Sequence, residues 1–200
     1  MKLLAFTDIH GSFKALKEIE QKVKTENPDL LVCAGDISMF ENNINILFKR
    51  INSYNKPVII VHGNHESEEA FNNINSRFKN IFYIHNSFYI YKDFLFIGYG
   101  GGGFSIEDLE FKAISINLEL IIKYNKNKKI VLVAHGPPYK TKLDKINGSY
   151  SGSRPLRKFI ENNKIDLVVC GHLHENFGKE DFIGKTIIVN PGPFGKIVEI

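Results

Sequence analysis

The sequence is poor in cysteine and has no long apolar run. Its two cysteines, Cys33 and Cys170, do not form a C-x-x-C pair, so we expect buried reduced thiols rather than a disulfide or a zinc clamp. No apolar run approaches the roughly 20 residues that a membrane-spanning helix needs. The apolar opening residues end at Asp8, and a strand explains them better than a secretion signal does. We therefore expect a cytoplasmic protein without a membrane partner.

Low-complexity tracts, internal repeats and domain linkers are also missing from the 200 residues. This length predicts one domain, residues 1–200, which buries on the order of 70% of its unfolded surface. Hydrophobic residues make up 43% and charged residues 24% of the sequence, a balance that excludes general disorder. The net charge of +4 is mild and the lysines are dispersed, so the sequence leaves a nucleic-acid partner open without indicating one. It does not predict the oligomeric state.

The sequence does contain five short patches of Asp, His and Asn, nearly all directly after an apolar run. The patches are Asp8-Ile9-His10, Gly35-Asp36, Gly63-Asn64-His65-Glu66, His135-Gly136 and Gly171-His172-Leu173-His174. The runs are typical of buried strands, and sites assemble at the carboxyl ends of strands in open α/β sheets. We therefore expect the patches to meet at one sheet edge. On extended backbone, residues two apart face the same side, so Asp8 and His10 can reach one ion together, as His172 and His174 can reach a shared site.

Helical patterns between these runs predict an α/β fold of right-handed βαβ units. We expect helices after a capping Ser12, around residues 44–51, and over residues 106–124 and 155–162. Two apolar segments flank Lys92-Asp93 and predict an antiparallel hairpin. The glycines Gly100, Gly101, Gly102 and Gly103 are interpreted as a tight strand-to-helix connection, with a flap over the site as the alternative.

The order and spelling of the five patches resemble the calcineurin-like metallophosphoesterase superfamily, in particular its small bacterial and archaeal members of phosphodiesterase type. The family pattern is D-x-H, G-D, G-N-H-[ED], H and G-H-x-H, and the sequence matches every block in order from Asp8 to His174. The resemblance implies a four-layer αββα sandwich of two mixed β-sheets flanked by helices. It also implies a dinuclear metal site at one sheet edge and a turn at residues 190–193 near the rim of that site.

The resemblance further implies which residues bind the two metals. The first metal would be bound by Asp8, His10, Asp36 and His174. The second metal would be bound by the bridging Asp36 together with Asn64, His135 and His172. Imidazole, carboxylate and amide ligands without thiolate favour two divalent transition-metal ions, Mn, Fe, Co, Ni or Zn, over Ca or Mg, with Mn as the first candidate. For His62 and His85 we expect ordinary core or surface positions.

The implied activity is hydrolysis of a phosphodiester or a small phosphomonoester by a metal-bridging hydroxide. His65 is the candidate for protonating the leaving oxygen, because an unperturbed imidazole has a pKa of about 6.5. Glu66 is either a support for the ligands or a charge at a helix N-terminus. Arg154 could bind a phosphate oxygen, although a solvated loop position is the favoured interpretation. The alternatives are a non-enzymatic protein-interaction scaffold with this fold and a nucleotide-specific phosphodiesterase or pyrophosphohydrolase.

Overall fold

The structure is a computed structural model that describes residues 1–72 and 74–200. Its α-helices are α1 Phe13–Glu26, α2 Ile44–Asn52, α3 Ile74–Arg77, α4 Leu109–Tyr124 and α5 Arg154–Asn162. Its strands are β1 Lys2–Phe6, β2 Leu30–Cys33, β3 Val58–Ile60, β4 Ile81–Tyr83, β5 Phe88–Tyr91, β6 Phe94–Tyr99, β7 Lys129–Ala134, β8 Lys145–Ile146, β9 Ser149–Tyr150, β10 Leu167–Val169, β11 Glu180–Ile183, β12 Thr186–Val189 and β13 Lys196–Glu199. Within these described ranges, none of the helices has the length and apolarity required to cross a bilayer.

The strands form two large mixed sheets and one short hairpin. The first sheet has the order β13-β1-β2-β3-β4, in which only the β1–β13 pair is antiparallel. The second has the order β11-β12-β10-β7-β6-β5, with parallel strands at its centre and an antiparallel pair at each edge. Phe6 lies opposite Cys33, and Cys33 lies opposite Ile60. Strands β1, β2 and β3 therefore end at the same level, which aligns the loops that follow them.

Three apolar cores separate four layers. In β1 the buried side chains alternate, so that Leu4 belongs to the core under α1 and α2 while Leu3 belongs to the core between the two sheets. On the second sheet, Leu132 packs in the core under α4 and α5, and Val131 lies between the sheets. The predicted four-layer αββα sandwich is confirmed. The assignment of residues 1–200 to one domain stays a prediction.

Side-chain caps define where two of the predicted helices begin. The Ser12 side chain accepts a hydrogen bond from the Ala15 amide and caps α1 as predicted, yet Phe13 is 65% exposed. Helix α4 begins at Leu109 because the Asp108 side chain accepts from the Phe111 amide. The predicted start at residue 106 is therefore too early, and the buried face of α4 consists of Phe111, Leu118 and Ile122.

The predicted hairpin and the buried cysteines are both present, whereas several short strands were not predicted. The hairpin of β5 and β6 is confirmed. In its turn, Lys92 takes a left-handed conformation (φ 52°) that a glycine would adopt more easily. Both cysteines are buried free thiols. Strand β4 and the β8–β9 hairpin were not predicted, because strands this short give little periodic signal.

Candidate metal centre

Each of the five polar patches follows the carboxyl end of a strand, namely β1, β2, β3, β7 or β10. The predicted site residues whose side chains come together at this edge are Asp8, His10, Asp36, Asn64, His65, His135, His172 and His174. The sheet order explains the convergence, because β1, β2 and β3 are neighbours in one sheet while β7 and β10 are neighbours in the other.

The backbone at the site differs from the extended conformation that the spacing argument assumed. Four of the residues adopt left-handed φ angles. They are Asp8 (52°), His10 (47°), Asp36 (51°) and His172 (69°). Such angles cost free energy in residues with a Cβ and cluster at functional sites. Hydrogen bonds between loops hold them here, since the Asp8 amide donates to the Gly35 carbonyl (3.0 Å) and the His10 amide to the Asp36 carbonyl (2.9 Å).

One half of the site is formed by Asp8, His10 and His174. The Nε2 atoms of the two histidines lie 3.2 Å apart, and the Nε2 atom of His174 lies 3.5 Å from Oδ1 of Asp8. Asp8 is buried and also accepts a hydrogen bond from the Thr7 hydroxyl (2.7 Å). These atoms converge on one point, as the ligands of a single ion do.

The other half is formed by Asn64, His135 and His172. Oδ1 of Asn64 lies 2.9 Å from Nε2 of His135 and 2.8 Å from Nδ1 of His172. Nδ1 of His135 lies 2.8 Å from the Ala34 carbonyl oxygen, which can only accept. His135 therefore donates from Nδ1 and presents the Nε2 lone pair to the site, the usual orientation of a ligating imidazole. His172 and His174 thus lie in different halves rather than at one shared point.

Asp36 lies between the two halves. Its Oδ2 atom is 3.7 Å from Nε2 of His10 and 3.5 Å from Nε2 of His135. Its Oδ1 atom accepts a hydrogen bond from the His65 amide (2.9 Å). One carboxylate oxygen therefore faces histidines of both halves, which is the position that a bridging ligand requires.

Burial and local charge set the protonation of these groups. Burial, together with the repulsion that a protonated His135 would exert, lowers the pKa of His172 to about 4, and burial also lowers the pKa of His10. Burial opposes ionisation of Asp8, but a hydrogen bond with His174 and the charge of His135 hold its pKa below the usual value. Neutral imidazoles and an ionised carboxylate are the forms that bind metal ions.

Two buried nitrogen atoms of the site lack a hydrogen-bond partner among the residues that the structure describes, Nε2 of His172 and Nδ1 of His65. An unpartnered buried polar atom is costly unless a ligand pairs with it. The donor set of imidazole nitrogen, carboxylate and amide oxygen also suits divalent transition metals. The residues at this edge therefore fit a pair of such ions.

Glu66 supports the loops that carry the site. Its buried carboxylate accepts hydrogen bonds from the backbone amides of Asp36 (3.1 Å), Ser38 (2.7 Å) and Gly63 (3.0 Å). Burial raises the pKa of Glu66, and the bonds from Gly63 and Ser38 oppose that effect. Of the two roles left open for Glu66, the structure shows the support of ligand loops.

The sequence interpretation missed the supporting roles of Thr7 and Asn190. Asn190 is fully buried, and its amide nitrogen lies 3.5 Å from the Gly171 carbonyl and 3.3 Å from the Leu173 carbonyl. It thereby holds the loop of His172 and His174. A buried Asn before Pro191 carries no local signal of this role, because its partners lie 17 and 19 positions away in the chain.

The remaining polar candidates lie outside the cluster. His62 is buried with its Nδ1 atom 2.7 Å from the Tyr83 hydroxyl. Nε2 of His85 lies 3.1 Å from Glu68, while its Nδ1 accepts from the Gly100 amide (2.9 Å). That acceptor role leaves the proton on Nε2 of His85, which argues against an ion among His62, Glu68 and His85 despite their proximity.

Arg154 is not among the described residues that line the cavity beside the cluster. Its guanidinium pairs with Glu107 at 3.1 Å and lies 4.8 Å from the centre of the Tyr139 ring. The cavity beside the cluster has a volume of about 280 Å³. The described residues that line it are Asp36, Asn64, His65, Phe104, Ile146, His172, Leu173, His174 and Glu175.

Comparison with known proteins identifies the family. The sequence profile of the calcineurin-like phosphoesterases matches residues 1–176, so the chain belongs to the calcineurin-like phosphoesterase family. Members of this family use divalent metals, in agreement with the Asp and His clusters described above. An uncharacterized protein of Methanocaldococcus jannaschii is 33% identical over 204 residues, which span 96% of this chain and 88% of that protein.

Solved structures share the fold. A protein of Thermus thermophilus superposes with a TM-score of 0.78 at 17% identity, covering 96% of this chain and 88% of its own. A dimetal phosphatase from Danio rerio superposes with a TM-score of 0.68 at 10% identity, covering 94% and 86%. A structure described as an archaeal phosphodiesterase reaches a TM-score of 0.50 at 17% identity, covering 96% and 84%. At these identities the likeness shows a common fold.

Proposed function

We propose that the protein is a metal-dependent phosphoesterase that hydrolyses a phosphodiester or a small phosphomonoester with two divalent transition-metal ions. The observation that carries this proposal is the position of Asp36, whose Oδ2 atom faces His10 on one side and His135 on the other. A carboxylate shared in this way sets the separation of two ions and offsets their mutual repulsion. Family membership supports phosphoester hydrolysis in general terms.

Each half of the site supplies the proposed ligands of one ion, and Asp36 is shared by both ions. The first ion takes Asp8, His10, Asp36 and His174. The second ion takes Asp36, Asn64, His135 and His172. When bound, the two ions would polarise the phosphoryl oxygens and lower the pKa of a water molecule between them. Mn is the first candidate for the metal, followed by Fe, Co, Ni and Zn.

The protein itself contributes little positive charge to the cavity. Among the described residues that line it there is no lysine or arginine, and Glu175 is one of the lining residues. Phosphate binding is therefore left to the metals and to His65. Loss of a metal ligand should therefore weaken substrate binding as well as turnover.

His65 is the proposed proton donor to the leaving oxygen. Its ring lines the cavity, its Nε2 atom lies 3.9 Å from Oδ2 of Asp36, and its backbone amide is tied to the same carboxylate. The ring of His10 packs against it with centroids 4.9 Å apart. These contacts hold the imidazole beside the point where a phosphoryl group would lie, and positioned general acids contribute about 10²–10⁴-fold to rate.

The test combines metal analysis with turnover of bis-p-nitrophenyl phosphate. We expect two Mn ions per chain and turnover that is lost with chelator and restored with metal. His65→Ala should keep both ions and lose about 10²–10⁴-fold in kcat, whereas Asp36→Asn should lose metal and turnover together. Full turnover in a two-metal His65→Ala protein would overturn the role of His65. If no phosphoester is hydrolysed with any of the five metals, the phosphoesterase proposal is wrong and the scaffold alternative gains support.

A further inference from the structure

An apolar wall borders the same cavity as the candidate metal ligands. Phe104 is 67% exposed, Ile146 is half-buried and Leu173 is buried, and all three line the cavity. The Phe104 ring contacts His172, with ring centroids 4.6 Å apart and planes inclined at 57°. An exposed aromatic ring in a cleft that also holds the reactive groups is a typical element of a ligand-binding site.

The loop that carries Phe104 has a fixed base. The Gly100 amide donates to Nδ1 of His85 (2.9 Å), and the Gly101 amide donates to the His62 carbonyl (2.9 Å). A Cβ on Gly100 would lie 2.3 Å from Nδ1 of His62, so close packing requires glycine there. On the far side, the cap formed by Asp108 fixes the start of α4.

The tip of this loop is built differently from its base. A Cβ on Gly103 would meet no described atom within 4 Å, so packing does not require a glycine next to Phe104. Gly102 takes a φ of +75°, a conformation that favours glycine. The packing constraints on this loop therefore lie at its base rather than beside Phe104.

The charge of the cavity limits what this wall can bind. Glu175 is part of the lining, and the lining residues named above include no lysine or arginine. Phosphate groups that lie beyond the reach of the metal ions would find no lysine or arginine among these lining residues. This lining therefore favours an apolar or uncharged group next to the reacting phosphate.

We propose that Phe104 and Ile146 form a subsite for a flat aromatic group on the phosphoester, so that the enzyme prefers esters carrying an aryl group or a nucleobase. This inference rests on the phosphoesterase function proposed above and names the substrate class of that site. Stacking of a base or an aryl ring on an aromatic side chain contributes about tenfold or more to affinity. Phe104 would act as a specificity-determining residue.

The test measures binding to the Mn-loaded protein by calorimetry, with phosphonates that cannot be hydrolysed. We expect phenylphosphonate to bind about tenfold more tightly than methylphosphonate. Phe104→Ala should bring this ratio close to one, and the ratio is the readout because the Phe104 ring also contacts the proposed metal ligand His172. Phe104→Tyr should retain the ratio. The matched control is Phe182→Ala, since Phe182 is 62% exposed on β11 and does not line the cavity.

A second pair of ligands tests whether the aromatic group is a nucleobase or a simple aryl group. AMP and ribose 5-phosphate are compared as competitive inhibitors of bis-p-nitrophenyl phosphate turnover. A preference for AMP that Phe104→Ala removes indicates a nucleobase, and a preference confined to the phenyl pair indicates a simple aryl ester. Equal affinities of the wild-type protein for phenylphosphonate and methylphosphonate, or a ratio unchanged in Phe104→Ala, would overturn the subsite while turnover still supports the phosphoesterase. Absence of turnover with every phosphoester would overturn both.

Discussion

The Nε2 atoms of His10 and His174 lie 3.2 Å apart, although the two residues are 164 positions apart in the chain. Two neutral imidazoles can share only one proton at this distance, and two protonated rings would repel each other. A divalent cation would accept both lone pairs at once, and Asp8, 3.5 Å from His174, could be a third ligand. The arrangement therefore suits the first of the two proposed ions.

The first prediction concerns this pair. His174→Ala removes one ligand of the first ion, so we expect Mn affinity at that ion to fall by more than the roughly 10–100-fold typical of a supporting residue. Calorimetric titration of the metal-free protein measures the loss. His85→Ala is the matched control, since His85 pairs with Glu68 outside the cluster. Two unchanged binding events in His174→Ala would contradict the ligand assignment.

The second prediction concerns close packing around Asp36. A Cβ on Gly63 would lie 1.9 Å from Oδ1 of Asp36, so Gly63→Ala must displace the carboxylate that faces both halves of the site. We expect both metal-binding events to weaken together, as measured by metal content after dialysis. Gly136 follows His135 directly, yet a Cβ there meets nothing within 4 Å. Gly136→Ala should therefore keep both ions, and the same loss in both variants would refute the steric explanation.

The third prediction tests Glu66 as a support. Glu66→Gln replaces an acceptor of several amide hydrogen bonds with a group that also donates, which leaves at least one buried N–H without a partner. The expected cost is about 1–3 kcal/mol in the free energy of unfolding. Urea denaturation in the presence of a chelator measures it without metal. Glu119→Gln, on the exposed face of α4, should change stability by less than about 0.5 kcal/mol.

The fourth prediction is an alkaline pH dependence at Tyr54, which packs in the core under α1 and α2. Its hydroxyl donates to the Leu16 carbonyl (2.8 Å). Burial raises the pKa of Tyr54 to about 12, the charge of Arg50 opposes the rise, and that of Glu20 adds to it. Because the folded pKa is above the unfolded one, this stabilisation is complete below about pH 10 and is lost as the pH rises towards 12.

The measurement is the slope of unfolding free energy against pH between 10 and 12. The contribution of Tyr54 cannot exceed about 1.4 kcal/mol per pH unit, the limit for one proton, and Tyr54→Phe should remove it. Tyr124 is 82% exposed, so Tyr124→Phe should leave the slope as it is. Equal slopes in the wild-type protein and Tyr54→Phe would show that the phenol ionises as easily in the folded protein as in the unfolded chain.

Several features of the fold were predictable because their causes are local. Apolar runs such as residues 3–6 and 58–61 predicted buried strands, and Ser12 predicted the start of α1. The antiparallel pairing of β5 with β6 followed from two apolar segments around a short turn. Helix α4 shows the limit of such patterns, because its start depends on the Asp108 cap, which lies two positions after Ile106, where the predicted helix began.

The candidate site was predictable in composition but not in geometry. The five patches identify the residue types, and the strand ends explain why they meet. The left-handed backbone of Asp8 and His10 is maintained by hydrogen bonds to Gly35 and Asp36, which no local pattern reveals. The exposed Phe104 ring likewise gives no signal of its own, because its place beside His172 depends on a loop anchored by His62 and His85.

The order of polar and apolar residues along the chain specifies which side chains can contribute to the site. It also predicts that strands bring these side chains to a common sheet edge, because strands are recognised from periodicity and their direction fixes where they end. The distances that matter for function, such as the sharing of Asp36 by His10 and His135, come from contacts between segments far apart in the chain. Such contacts form only in the folded protein, because strand pairing within each sheet and packing of the two sheets bring the loops together.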